Sequence, residues 1–382
     1  MLSSPAGEAK VEFSLPFRKA EVENFAKALD DYRRGVRSQQ TAQEPPAKEL
    51  IKAFGGKLLQ TVFDGEILSC LRRSLDIAGE RGAGLRLRLR LTDAPKLANL
   101  PWEYLYLASL KRFFALSAET PIVRYLDLPE RIPSLAVRPP IRILAMLSNP
   151  LGYPPLNVEH EWESLRQALA DLEKRGVVAL ERLPEATLAA LQRQLRRQEY
   201  HLFHFIGHGF FDEQTQEHGI ILEDENRASQ LVSAQRLGTI LRDERTLRLA
   251  VLNACEGGRH SPTDPFAGTA QTLVLQGLPA VIAMQFEISD EAAITFAREF
   301  YGAVADGYPV DAALAEARKA IFSTGNEAEW GTPVLYMRSP DGVIFDVAAA
   351  SGKETPRSEP KPAALKPKDG VPIPNILPYL RR

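Results

Sequence analysis

The chain has 382 residues, with 47 basic against 49 acidic side chains, a formal net charge of −2, and 45% apolar residues. That balance excludes a protein that coats nucleic acid, which would carry a clear basic excess, and two cysteines, Cys70 and Cys255, exclude a disulfide framework. No apolar run approaches the ~18 residues of a membrane helix, and the first twenty residues carry Glu8, Lys10, Glu12, Arg18 and Lys19 rather than a signal-peptide core. The expectation is a cytoplasmic protein without membrane contacts.

Four regions follow in chain order. Residues 1–126 read as a smaller α+β domain. It opens with a helical segment on Val22, Phe25 and Leu29, and a second helical stretch carries Leu58, Val62, Ile67, Leu71 and Leu75. The run from Leu85 to Leu91 alternates leucine with Arg86, Arg88 and Arg90, which predicts a strand with one buried face and one basic, solvated face. Short strands are expected at Phe113–Leu116 and Ile122–Tyr125. Residues 127–140 hold four prolines and read as a connector.

From residue 141 to 349 strands and helices alternate. Strands are expected at Ile141–Leu147, Val177–Leu180, His201–Ile206, Leu249–Leu252, Ala280–Met284 and Pro333–Met337. Between them lie helical patterns, among them Val158 to Leu172, Leu188–Leu195, Ser233–Leu241 and Phe266–Gln276. This rhythm predicts an α/β fold with a mostly parallel sheet flanked by helices. Residues 350–382 form a Pro- and Lys-rich tail that ends in an apolar run from Ile373 to Leu380. Neither a Gly-x-x-x-x-Gly-Lys loop, a Gly-x-Gly-x-x-Gly turn nor a Gly-x-Ser-x-Gly elbow is present. No cofactor is implied.

Sites in parallel sheets form at the carboxyl ends of strands. One strand ends in Phe205-Ile206-Gly207-His208-Gly209 and another in Leu252-Asn253-Ala254-Cys255. An imidazole can take the proton of a neighbouring thiol, which makes the sulfur a nucleophile, and can return it to a leaving amine. The backbone N–H groups of Gly209 and Cys255 are candidates for an oxyanion hole. The bland reading of each residue alone is a buried small side chain for Cys255 and a turn residue for His208. No metal site is expected: on a strand His201 and His204 face opposite sides. His218 and His260 receive no role.

These motifs resemble the CHAT domain, a branch of the caspase and separase peptidase clan. The resemblance runs over residues 50–347 and includes Leu100-Pro101-Trp102-Glu103, Pro121-Ile122-Val123-Arg124-Tyr125, Gly277-Leu278-Pro279-Ala280 and Glu316-Ala317-Arg318. The spacing of 47 from His208 to Cys255 is close to the roughly 50 of caspases. The resemblance implies a caspase-like cysteine endopeptidase with His208 as general base and acid and Cys255 as nucleophile. It also implies a protein substrate and a regulated role in bacterial stress, defence or signalling. Regulatory proteins would bind through the N-terminal domain or the tail. The segment Phe286-Glu287-Ile288-Ser289-Asp290 is placed like the acidic segment by which separases read arginine, so Glu287 or Asp290 is a candidate substrate-pocket carboxylate. Alternatively, Ser289 or Asp290 simply caps the following helix. The rival to the enzyme reading is a catalytically silent scaffold on the same fold.

Overall fold

The computed structural model describes residues 2–38, 47–92, 94–130, 132–253 and 266–347. The apolar runs Ile141–Leu147, Ala280–Met284 and Pro333–Met337 are strands with the predicted limits. Such runs lack polar alternation when both faces of a sheet are covered. They belong to one eight-stranded sheet. In chain order its strands are β1 (Leu87–Leu89), β2 (Ile122–Tyr125), β3 (Ile141–Leu147), β4 (Val178–Arg182), β5 (Leu202–Ile206), β6 (Leu249–Asn253), β7 (Ala280–Met284) and β8 (Pro333–Met337). Across the sheet the order is β1-β2-β8-β7-β6-β5-β3-β4.

The neighbours β7, β6, β5, β3 and β4 are parallel. β8 runs antiparallel to β7, and β2 and β1 share the direction of β8. After β3 the chain adds β4 on one side and then returns to add β5 on the other. The crevice between the carboxyl ends of β3 and β5 is therefore the switch point, where α/β sheets place their sites.

The principal helices are α1 (Lys19–Ser38), α2 (Ala47–Val62), α3 (Gly65–Glu80), α4 (Val158–Lys174), α5 (Leu188–Arg197), α6 (Ala234–Leu241), α7 (Ala267–Leu275), α8 (Asp290–Ala305) and α9 (Val310–Ser323). Polar residues start several of them: Asn157, Thr187, Ser233 and Ser289 each accept a backbone N–H in the first turn. The period-2 alternation of the strands builds two cores. Ile143, Ala145, Ile206, Val251, Ile282 and Met284 face α4, α8 and α9. Leu144, Met146, Phe203, Phe205, Leu252 and Val281 face α5, α6 and α7. Each large apolar side chain buried this way contributes about 1.5–3 kcal/mol.

Several sequence expectations change. β1 is shorter than the Leu85–Leu91 run, and its basic face is not left to solvent. Arg86 pairs with Asp311 and donates to the Asp341 carbonyl, Arg88 donates to the Pro340 carbonyl and lies over the Tyr125 ring, and Arg90 pairs with Asp127. In the predicted Phe113–Leu116 strand only Phe113 is extended, as the end of a two-residue strand from Arg112, and Phe114–Leu116 is a 3-10 turn. Within the proline-rich connector, Leu135–Val137 pairs with Phe345–Val347. β1 and β2, read as part of a separate N-terminal unit, extend the same sheet as β3 to β8. A three-stranded antiparallel sheet after β5 (Gly209–Asp212, Glu217–Glu223, Ser229–Ser233) was not predicted. Its polar turns hide it, and they place Gln216 and Arg227 at φ of 58° and 62°.

Candidate active site

The chain leaves β5 through Gly207-His208-Gly209. Glycine at 207 leaves room for the Phe205 ring, from which a Cβ there would stand 2.6 Å. The Gly207 N–H donates to the Asn253 carbonyl at 3.2 Å, which ties the end of β5 to the end of β6. His208 is fully buried, and its Nε2 lies 2.9 Å from the Pro154 carbonyl oxygen in the loop between β3 and α4. A carbonyl only accepts, so in the neutral ring Nε2 carries the hydrogen and Nδ1 keeps the basic lone pair. The Tyr153 ring packs 5.4 Å from the imidazole. The switch-point crevice thus brings together one residue from each bordering loop.

The backbone next to His208 is set by the small antiparallel sheet. Ile221 N–H donates to the His208 carbonyl at 2.9 Å, and Gly209 is paired with Ile220. Bonded and non-bonded pairs alternate along an antiparallel ladder. The N–H of Gly209 is therefore directed away from the neighbouring strand, as an oxyanion donor requires.

In the ladder between β5 and β6, Ile206 is paired with Asn253. His208 and Cys255 each stand two residues beyond that pair in the sequence. Cys255 itself, its N–H and His260 lie outside the described residues.

Glu287 lies three residues beyond β7, the strand beside β6. Its carboxylate pairs with Arg33 of α1, and Arg33 also meets Asp30 at 2.5 Å. Asp290 is half exposed and lies 3.1 Å from His160 Nε2. Ser289, not Asp290, is the N-cap of α8, and its N–H and hydroxyl both donate to Glu329. The structure therefore brings Glu287 to the carboxyl edge of the sheet, but with a guanidinium already against it.

A second polar centre at that edge accounts for three of the motifs. Glu103 is completely buried and accepts from Arg124 at 3.2 Å and from Gln285 at 2.9 Å. Arg124 also donates to the Ala98 and Leu100 carbonyls, and Gln285 donates to the Gly331 carbonyl. Arg318 is buried and donates to the Pro333 carbonyl at 2.5 Å. Burial pulls its pKa down to about 10, with Glu103 opposing the fall. These contacts bolt α9, β2 and β8 to the turn after β7. The sequence singled out Glu103, Arg124 and Arg318 as motif residues. Neither Gln285 nor the Pro154 carbonyl carried a signal, since every residue has a carbonyl.

The remaining histidines have separate surroundings. His201 Nδ1 accepts from the Arg142 N–H, and burial lowers its pKa to about 4. His218 stacks on Phe211 at 4.5 Å and covers Gly268, where a Cβ would come within 2.3 Å of the ring. Among the described residues, no three His, Cys, Asp or Glu side chains are grouped to hold a metal ion. Also among them, no helix is long and apolar enough to cross a membrane.

Comparison with known proteins gives a family match. The model of the CHAT domain matches residues 44–359. No curated protein sequence matches. Among solved structures, the Arg-specific cysteine proteinase gingipain R aligns at 10% identity and a TM-score of 0.43, covering 86% of this chain and 75% of that one. The Saccharomyces cerevisiae separase of a separase–securin complex aligns at 15% identity and a TM-score of 0.34, covering 63% of this chain and 14% of the separase chain. The Drosophila initiator caspase Dronc aligns at 13% identity and a TM-score of 0.31, covering 60% of this chain and 96% of that one.

Proposed function

The chain belongs to the CHAT domain family, and from that premise we propose that it is a caspase-like cysteine endopeptidase acting through Cys255 and His208. The observation that carries this reading is the His208–Pro154 hydrogen bond, which fixes a buried imidazole in the tautomer whose Nδ1 is the base. The ladder register supports it, because both residues follow a directly paired Ile206 and Asn253 by two positions.

In the proposed reaction the Cys255 thiol passes its proton to Nδ1 of His208. The thiolate adds to the scissile carbonyl, and the N–H groups of Gly209 and Cys255 take up the oxyanion charge. Collapse expels the amine, which receives the proton from the imidazolium and leaves a thioester. His208 then takes a proton from water, the hydroxide hydrolyses the thioester, and the thiolate is regenerated. His208 stays in register because the Pro154 carbonyl follows the ring through both protonation states.

The substrate is a protein. Glu287 or Asp290 would read an Arg or Lys side chain before the scissile bond, since a carboxylate in a partly dry pocket pairs well with a guanidinium. The ion pair of Glu287 with Arg33 supports guanidinium binding at that position, and it also means that a substrate arginine has to compete with α1. We place the protein in the cytoplasm, in a regulated stress, defence or signalling role, with the N-terminal region or the tail receiving regulators.

The test compares wild type with Cys255→Ala on a peptide library. Cleavage that is present in the first and absent from the second supports the reading, and Glu287→Lys or Asp290→Lys lowers turnover of Arg and Lys substrates. Indistinguishable profiles for wild type and Cys255→Ala return the chain to the scaffold reading, and a preference for Asp contradicts the acidic pocket.

A further inference from the structure

We infer that one water molecule is bound beneath the carboxyl ends of β5 and β6, where it joins His204 to Asn253 and makes both positioning residues for the strand end that leads to Cys255. Its hold on Cys255 rests on the peptidase reading, whereas the water site itself does not.

The two side chains share a face. Residues paired in a parallel ladder point the same way, so Asn253 points with Ile206, and His204 points with Ile206 because it is two residues earlier. That face is packed against α4 and α8. A cavity of about 20 Å³ lies there, lined among others by Ser164, His204, Asn253, Met284 and Phe296. One water needs roughly 10–15 Å³ of such space and two to four polar partners.

The polar partners are waiting. His204 is 3% exposed and Asn253 is 5% exposed. His204 Nε2 and Asn253 Oδ1 are both buried and have no protein partner. His204 is opposite Val251 in the ladder, so Asn253 is one strand across and two residues along. From strand spacing and rise this diagonal is about 8 Å between Cα atoms, and the two buried atoms make no hydrogen bond to each other, so a single bridging molecule would satisfy both. The half-buried Ser164 hydroxyl on the same wall supplies a third partner.

The proton order is also consistent. Tyr301 Oη lies 2.5 Å from His204 Nδ1. Burial holds the ring neutral, with its pKa lowered to about 4. A neutral ring has one N–H, so a Tyr301 hydroxyl donating to Nδ1 leaves Nε2–H to donate to the water. The water then donates to Asn253 Oδ1. All three bonds run in one direction, from α8 through β5 to the last residue of β6. The Asn253 carbonyl is meanwhile held by Gly207 N–H. Side chain and backbone of Asn253 are thus tied to the two sides of the same turn.

The test begins with the full-length wild-type chain. Nitrogen NMR of labelled histidine is expected to show His204 protonated on Nε2, with a cross-peak to a bound water. A high-resolution crystal structure is expected to show one ordered water about 2.7–3.1 Å from both His204 Nε2 and Asn253 Oδ1. An Nδ1-protonated ring, a dry cavity, or Asn253 turned away from it overturns the site. For the positioning role, Asn253→Leu is expected to lower kcat about tenfold with KM little changed, the size of one lost buried hydrogen bond. Asn253→Asp, which keeps an acceptor, is expected to recover most of that loss. Full kcat in Asn253→Leu overturns the positioning role. If Asn253→Leu does not fold, the NMR and diffraction results on the wild type still decide the site. Activity that survives in Cys255→Ala marks failure of the peptidase reading, which the NMR readout distinguishes because it does not depend on catalysis.

Discussion

Two buried polar centres sit at the carboxyl edge of the sheet, and they are built on opposite principles. Around Glu103, charge is set against charge: Arg124 and the Gln285 amide bond the carboxylate, Arg318 adds a positive charge nearby, and carbonyl oxygens take further guanidinium donors. Around His208 an imidazole meets an uncharged backbone carbonyl. In the first arrangement, removing one partner leaves a naked charge in low dielectric. The second joins the ring to the frame through one uncharged hydrogen bond, the arrangement that the proposed proton transfer needs. The difference is between a charged centre that holds the frame and an uncharged one that the proposed peptidase chemistry would use, although both are equally buried.

The comparison breaks most visibly at His208. His208→Gln is expected to lower cleavage by about 10²–10⁴-fold, the usual contribution of a general base, while melting is little changed. If melting falls steeply instead, His208 belongs with the structural centre. At the other centre the expectation is reversed. Arg318→Met leaves Glu103 short of compensating charge and is expected to cost about 3–5 kcal/mol in a denaturant titration. A cost below about 1 kcal/mol, as for a surface pair, would remove the distinction.

A third test uses pH. Burial holds His204 at a pKa of about 4, whereas its ordinary value is 6.5. Below 6.5 the unfolded chain binds a proton that the folded chain refuses. The contribution of His204 is therefore complete above pH 6.5 and is lost as the pH falls towards 4. The gap corresponds to roughly 3 kcal/mol. The slope of stability against pH over that window is expected to be shallower in His204→Phe, and an unchanged slope contradicts the burial argument. The smallest effect is expected for Gly207→Ala, whose methyl would press on the Phe205 ring. Overpacking of this kind costs about 1–3 kcal/mol, and the displaced turn is expected to slow cleavage more than it lowers stability.

The framework of the sheet was legible because fully buried strands are written as continuous apolar runs. Ile141–Leu147, Ala280–Met284 and Pro333–Met337 are clear for that reason. His208 was legible as a glycine-flanked residue just past such a run. What stayed hidden depends on distant partners. The Arg86 and Arg88 face looked solvated, because Asp311 and the 340–341 carbonyls that cover it are more than 200 residues away. The strands after Gly209 are short and polar, so their pairing outweighs their weak pattern. Pro154 acts through its backbone, which no side-chain motif can report. Glu287 was singled out for its charge, but its sequence neighbours do not show that Arg33 lies against it.

The most direct test of the central claim is the rate of Cys255 alkylation as a function of pH, in wild type and in His208→Gln. Wild-type Cys255 is expected to react faster than Cys70 at mildly acidic pH, and this advantage is expected to vanish in the variant. Equal, slow labelling of both cysteines in both proteins would contradict it.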